Sequence, residues 1–126
     1  MKVGVASGRV PMEIARRATR FALRRIECNE IAVSRNARSS PRTETEKDHA
    51  VPVRRMAMDL LEKEQYADLE GMRAYVNKMN HVVRITDVEH RRLSDKGLRY
   101  DMPKDWDDSD LYARYHVAEI EIDIIP

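Results

Sequence analysis

Residues 80–93, N-H-V-V-R-I-T-D-V-E-H-R-R-L, decide the fold of this chain. The first half of the segment is rich in β-branched and apolar side chains, which predicts a strand. Thr86 or Asp87 is then expected to cap a helix that runs through Leu93, and Gly97 is expected to end it. A strand that leads directly into a capped helix indicates a protein that mixes α and β structure.

Apolar residues at helical spacing predict three more helices. They are expected at residues 11–27, 55–64 and 68–80. Short strands are expected at 31–33 and at 118–124, where alanine and isoleucine alternate with acidic residues. The polar, proline-containing residues 36–46 are expected to form a mobile loop. The sequence therefore predicts an α+β fold.

The helix predicted at 11–27 has two different faces. Its apolar arc, which is expected to face the core, consists of Ile14, Ala18, Phe21 and Ala22. Its basic arc consists of Arg16, Arg17, Arg20 and Arg24. These arginines form either a solvated face of a core-packing helix or a phosphate-binding surface, since arginine can hold a phosphate with two parallel hydrogen bonds.

The formal net charge of +1 conceals two oppositely charged ends. Residues 1–47 carry 11 basic and 5 acidic side chains, whereas residues 101–126 carry 2 basic and 8 acidic ones. The basic end is a plausible nucleic-acid footprint. Alternatively, the acidic end neutralises it within the fold or across a dimer.

Length and composition exclude several classes of protein. The 126 residues are enough for one small domain, and 42% hydrophobic with 36% charged residues is typical of a globular protein. The single Cys28 excludes an intramolecular disulfide and a multi-cysteine zinc knuckle, is expected to be a small buried residue, and favours a reducing, cytoplasmic location. No apolar stretch approaches the roughly 20 residues of a membrane span, so no membrane partner is expected.

Acidic and histidine side chains occupy the ends of the predicted strands. Asp48 and His49 end a short extended segment, His81 opens the next strand, and His90 lies in the first turn of the helix that follows. A single-metal nuclease needs a carboxylate and an imidazole from two packed elements, and a further imidazole to deprotonate water. Neighbours on extended backbone point to opposite sides, so Asp48 can bind an ion while His49 faces the phosphate.

In residues 48–52 and 80–93 the chain resembles the HNH endonucleases, the ββα-metal nuclease superfamily. The resemblance implies a ββα-metal core over residues 47–97 that contains a helical insertion. A basic N-terminal helix and loop, residues 1–46, would precede this core. An acidic loop and a C-terminal strand, residues 98–126, would follow it in the same single domain. The cysteine pairs that brace many such nucleases are missing.

The resemblance also implies roles for individual residues. Asp48 and His90 would be metal ligands, and His49 would be the general base. The family's central asparagine has two candidate counterparts here, Asn80 and His81. The divalent ion would be magnesium, manganese or zinc, since the mixed oxygen and nitrogen ligands do not select among them.

The expected function is metal-dependent hydrolysis of DNA phosphodiester bonds. The arginines expected to contact nucleic acid are Arg16, Arg17, Arg20, Arg24, Arg84, Arg91 and Arg92. One alternative is a catalytically inactive nuclease-like inhibitor or adaptor, of the phage anti-defence type, whose acidic residues 101–110 bind a protein partner. Another is a DNA-binding protein without turnover. The strand predicted at 118–124 could also pair two copies of the chain.

Overall fold

A four-stranded mixed sheet organises the residues that the computed structural model describes, 12–26 and 28–125. Its strands are β1 (Glu30–Ser34), β2 (Thr45–His49), β3 (Val82–Thr86) and β4 (Ile122–Ile124). They lie in the order β2-β3-β1-β4, with β1 parallel to β3, β2 antiparallel to β3, and β4 antiparallel to β1. All five residues of β3 are buried, as expected of a strand with neighbours on both sides.

Six α-helices accompany the sheet. They are α1 (Met12–Arg25), α2 (Arg35–Arg38), α3 (Val53–Glu62), α4 (Leu69–Met79), α5 (Asp87–Asp95) and α6 (Ala113–Val117). Short 3-10 turns occupy Arg42–Glu44 and Glu64–Tyr66. The α+β class predicted from the sequence is confirmed. No helix within the described part of the chain has the length and apolar character needed to cross a membrane.

The strand-to-helix junction predicted from residues 80–93 is confirmed in detail. The Thr86 hydroxyl accepts the Glu89 N–H at 3.1 Å, and the Glu89 carboxylate accepts the Thr86 N–H at 2.9 Å, which is a complete capping box. Gly97 follows α5 with φ of 73°, a left-handed conformation that glycine adopts without strain.

Glu89 also ties the two parallel strands together. Ser34, the last residue of β1, caps α2 and donates its hydroxyl to Glu89 Oε1 at 2.5 Å. Asn36 Nδ2 donates to the other carboxylate oxygen of Glu89 at 3.3 Å. Glu89 is only 2% exposed, and these donors satisfy the hydrogen-bonding needs of a carboxylate that has left water.

The core consists of two apolar clusters. The first joins α1, α3 and α4, and it contains Leu23, Met56, Leu60, Tyr75 and Met79 among others. The second lies between the sheet and helices α5 and α6, and it contains Ala32, Val83, Ile85, Leu93 and Tyr115 among others. Leu111 packs against both clusters.

The orientation predicted for α1 is wrong. Leu23 is the one buried residue of this helix, whereas Ile14 is 56% and Phe21 is 62% exposed. Arg16 and Arg20 are half-buried and line a cleft shared with α3. The reason is that α3 offers a carboxylate, Glu62, which pairs with Arg16, so the arginine arc rather than the apolar arc turns toward α3.

Two further boundaries differ from expectation. Residues 36–46 are not a continuous loop, because they contain most of α2, a 3-10 turn and the first residues of β2. The predicted strand 118–124 is reduced to Ile122–Ile124. Ala118 ends α6, and Glu119 has φ of 57°, which turns the chain before β4 begins.

Candidate functional site

Asp48, predicted to bind a metal ion, is held by two buried partners in α6. Its Oδ2 accepts Arg114 Nη1 at 2.8 Å and the Tyr115 hydroxyl at 2.6 Å. Arg114 is 1% exposed and also donates to the carbonyls of Leu98 and His49. Burial and the nearby Asp48 charge raise the pKa of Tyr115. Asp48 therefore serves as the counter-ion of a buried guanidinium.

His90, the second predicted ligand, lies beside a different carboxylate. Its Nε2 is 3.4 Å from Glu46 Oε1 on β2. Burial and a side-chain hydrogen bond to Asp87 raise the pKa of Glu46, against the opposing influence of His90. Asp48 and His90 thus have separate partners. In residues 12–26 and 28–125, no group of three or more His, Cys, Asp or Glu side chains is placed to hold a metal ion.

His49 points away from Asp48, as expected for neighbours on a strand, and it lies next to Cys28. The distance from His49 Nε2 to Cys28 Sγ is 4.0 Å. Burial is the main cause that lowers the pKa of His49; Arg24 and Arg114 lower it further, while Asp48 opposes them. Sequence reasoning treated Cys28 as a small buried residue, and it did not foresee this pair because the two residues are 21 positions apart.

Asn80 and His81 lie between α4 and β3 and line a cavity of about 180 Å³ together with Cys28. Asn80 is 5% exposed, and its Oδ1 has no hydrogen-bond partner; His81 Nδ1 is likewise buried without a partner. The three residues predicted to be catalytic, His49, Asn80 and His81, therefore lie around Cys28, whereas Asp48 and His90 have the other partners described above.

Several predicted nucleic-acid contacts have structural partners instead. Arg84 is 9% exposed, donates to Glu30 Oε1 at 2.8 Å and to Thr45 Oγ1 at 2.9 Å, and thus joins β3 to β1 and β2. Arg17 pairs with Glu13 at 3.6 Å. Arg91 and Arg92 line a separate cleft at the start of α5.

The strongest basic feature in the described part of the chain is a cleft between α1 and α3. It has a volume of about 400 Å³ and is lined by Glu13, Arg16, Arg20, Arg24, Arg54, Met58 and Tyr100. We call it the arginine cleft. Arg16 pairs with Glu62, and Arg20 lies 3.5 Å from Glu13. Among the described residues, neither Arg24 nor Arg54 has a carboxylate within ion-pair distance.

Sequence analysis missed Arg54 and Tyr100. Arg54 and Arg55 are adjacent on α3, but Arg55 is engaged by Asp59 and Asp101 while Arg54 is exposed. Only the packing of α3 against α1 brings Arg54 to the same cleft as Arg24. No local pattern in the sequence contains that information.

The acidic C-terminal segment neutralises other basic residues within the fold. Asp101 and Asp108 pair with Arg55, and Asp108 also pairs with Lys63. Near β4, Arg35 pairs with Glu121, and Asp123 lies 3.7 Å from Arg38. None of these ion pairs involves an arginine of α1, so the positive charge of the arginine cleft is left for another partner.

Comparison with known proteins finds no matching family model, no similar curated protein and no similar solved structure.

Proposed function

We propose that this protein binds the phosphate backbone of a nucleic acid in the arginine cleft. The observation that carries the proposal is the convergence of four guanidinium groups from two helices on one cleft: Arg16, Arg20 and Arg24 from α1, and Arg54 from α3. Guanidinium groups suit phosphate because their planar donors match its oxygens. DNA is the probe that the sequence favours.

The charge balance of the cleft supports an anionic ligand. Glu13 is the one carboxylate among its lining residues, and Glu62 reaches Arg16 from the end of α3. Arg24 and Arg54 keep their donors for a ligand, since they form no ion pair with the described residues. Like charges held close together repel one another, and a bound polyanion would relieve that repulsion.

An aromatic side chain at the cleft supports a nucleic acid over inorganic phosphate. Tyr100 is 52% exposed, and the guanidinium carbon of Arg99 lies 5.2 Å from its ring centroid. An exposed ring beside arginines is the combination that proteins use to stack a base while holding the backbone. The proposal therefore includes a base-stacking contact at Tyr100.

Fluorescence anisotropy with labelled oligonucleotides tests the proposal. The double variant Arg24→Ala/Arg54→Ala removes two cleft arginines, and Arg42→Ala/Arg73→Ala removes two exposed arginines elsewhere. We expect the cleft variant to raise Kd at least about tenfold and to reduce the slope of log Kd against log salt by about two. Equal weakening by both pairs would leave only non-specific attraction and would contradict the proposal.

A second candidate function is metal-dependent phosphodiester hydrolysis, which the HNH resemblance implies. One observation favours it: antiparallel β2 and β3 are followed directly by α5, and His90 of α5 lies 3.4 Å from Glu46 of β2. The expected ligand set does not fit a metal ion as it stands. Asp48 would have to leave Arg114 and Tyr115 to reach an ion shared with His90.

Plasmid cleavage separates the two candidates. The full-length chain is incubated with supercoiled plasmid and magnesium, manganese or zinc, and the incubation is repeated with His49→Ala and His90→Ala. Nicking that both substitutions abolish supports the hydrolase. Intact plasmid with every ion, combined with salt-sensitive binding, supports binding without turnover.

A further inference from the structure

The cavity beside Cys28 contains two buried polar atoms that nothing in the described chain satisfies. Asn80 Oδ1 and His81 Nδ1 both lack a hydrogen-bond partner, and the Asn80 side chain is 95% buried. Buried polar groups are nearly always paired, so each exception asks for an explanation. Here both exceptions line one cavity of about 180 Å³, together with the single cysteine of the chain.

The thiol in this cavity has a proton acceptor beside it. His49 Nε2 lies 4.0 Å from Cys28 Sγ. Burial lowers the pKa of His49, so its imidazole is neutral at neutral pH and keeps a lone pair that can accept the thiol proton. A thiolate is the reactive form of cysteine, and an adjacent imidazole is a common means of forming it.

Size and hydrogen-bonding chemistry limit what can enter. A water molecule occupies about 30 Å³ in the liquid, so the cavity holds only about half a dozen water-sized molecules and is too small for a nucleotide or a peptide. Asn80 Oδ1 is an acceptor, and His81 Nδ1 can be one in the appropriate tautomer. A small molecule with two O–H donors satisfies both atoms. Hydrogen peroxide meets this requirement and also has an oxygen that a thiolate can attack.

We propose that Cys28 is an oxidation site that reacts with hydrogen peroxide bound in this cavity by Asn80 and His81. The Cys28 thiol passes its proton to His49 Nε2, and the sulfur attacks one peroxide oxygen. The S–O bond forms as the O–O bond breaks, so cysteine is oxidised to a sulfenic acid and peroxide is reduced. The leaving hydroxide takes the proton back from His49 as water, and the second peroxide proton stays on the sulfenic oxygen.

The rate of sulfenic acid formation tests this proposal. The full-length protein is treated with hydrogen peroxide and dimedone, and the adduct on the Cys28 peptide is followed by mass spectrometry, which separates it from oxidation of the seven methionines. The same chain unfolded in guanidinium chloride at the same pH provides the reference thiol. We expect the folded protein to react at least about tenfold faster than the unfolded chain.

Variants separate the cavity from simple exposure of the thiol. His49→Gln and Asn80→Ala should each bring the rate close to that of the unfolded chain, whereas His116→Gln, an exposed imidazole of α6, should keep the wild-type rate. If circular dichroism shows that Asn80→Ala fails to fold, His81→Ala tests the same cavity. A folded rate no higher than the unfolded rate, or a wild-type rate in the folded His49 and cavity variants, overturns the proposal.

Discussion

Arg114 of α6 and Asp48 of β2 form a buried ion pair, with 2.8 Å between Arg114 Nη1 and Asp48 Oδ2. The pair lies at the junction of the sheet and the C-terminal third of the chain, where Arg114 also bonds the carbonyls of Leu98, His49 and Ala50. It gives Asp48 a structural role that its position in the sequence did not reveal.

Arg114→Met should strongly destabilise the protein, because it leaves the Asp48 carboxylate buried without its cation. We expect the free energy of unfolding to fall by about 3–5 kcal/mol. Adding Asp48→Asn to the same chain should recover much of the loss, since the amide is uncharged and its oxygen can still accept the Tyr115 hydroxyl. Urea unfolding followed by circular dichroism measures both changes. A neutral Arg114→Met substitution would show that the pair contributes nothing to stability.

Glu89→Ala should unfasten the ends of the two parallel strands. It removes the acceptor of the Ser34 hydroxyl, the Thr86 N–H and the Asn36 amide, all in a buried setting. We expect a loss of about 2–4 kcal/mol in the free energy of unfolding, and a smaller loss for Glu89→Gln, which keeps an acceptor oxygen. Glu70→Ala, on the exposed first turn of α4, is the control and should change stability by less than about 0.5 kcal/mol.

The lowered pKa of His49 predicts a pH dependence of stability. In the unfolded chain this imidazole takes up a proton near its ordinary pKa of 6.5, whereas in the folded protein it does so only at lower pH. The unfolded state therefore binds more protons in that interval. Stability is complete above pH 6.5 and falls as the pH drops through the folded pKa.

His49→Gln should remove this contribution. Urea unfolding of the wild type and of the variant is compared between about pH 7.5 and about pH 5, and the wild type should lose more stability over that range. The raised pKa of Glu46 acts in the opposite direction in both proteins, so it largely cancels in the comparison. Identical pH profiles would contradict a lowered pKa at His49.

Tyr100→Ala should weaken binding of single-stranded DNA more than binding of duplex DNA. An unstacked base can lie on the exposed ring, and such a contact contributes about 1–3 kcal/mol. The matched control is Phe21→Ala, which removes an equally exposed aromatic ring that is not among the cleft's lining residues. Anisotropy titrations with both forms of DNA measure the effect. Equal losses for the two variants would remove the stacking contact from the proposal.

Local rules predicted the elements whose stabilising contacts are local. The capping box of Thr86 and Glu89 and the helix end at Gly97 involve residues a few positions apart, so the sequence states them directly. The face of α1 could not be read in this way. Periodicity identified its two arcs, but the choice between them depends on Glu62 of α3, which lies 46 residues beyond Arg16.

The candidate site shows the same division between local and distant information. Sequence spacing correctly placed Asp48 and His49 on opposite sides of one strand. It could not reveal that Arg114 is the partner of Asp48 or that Cys28 lies beside His49, because those contacts join residues 66 and 21 positions apart. Metal binding at Asp48 and His90 stays a prediction of the resemblance.

The order of the strands in the sheet has a consequence for how the chain folds. The inner strand β1 precedes both of its neighbours, β3 and β4, in the sequence. As the polypeptide leaves the ribosome, β1 must therefore wait, with its edges unpaired, until nearly all of the described chain has been synthesised. Folding dominated by such long-range pairing is slow. A newly made chain should accordingly rely on chaperones during synthesis more than its small size suggests.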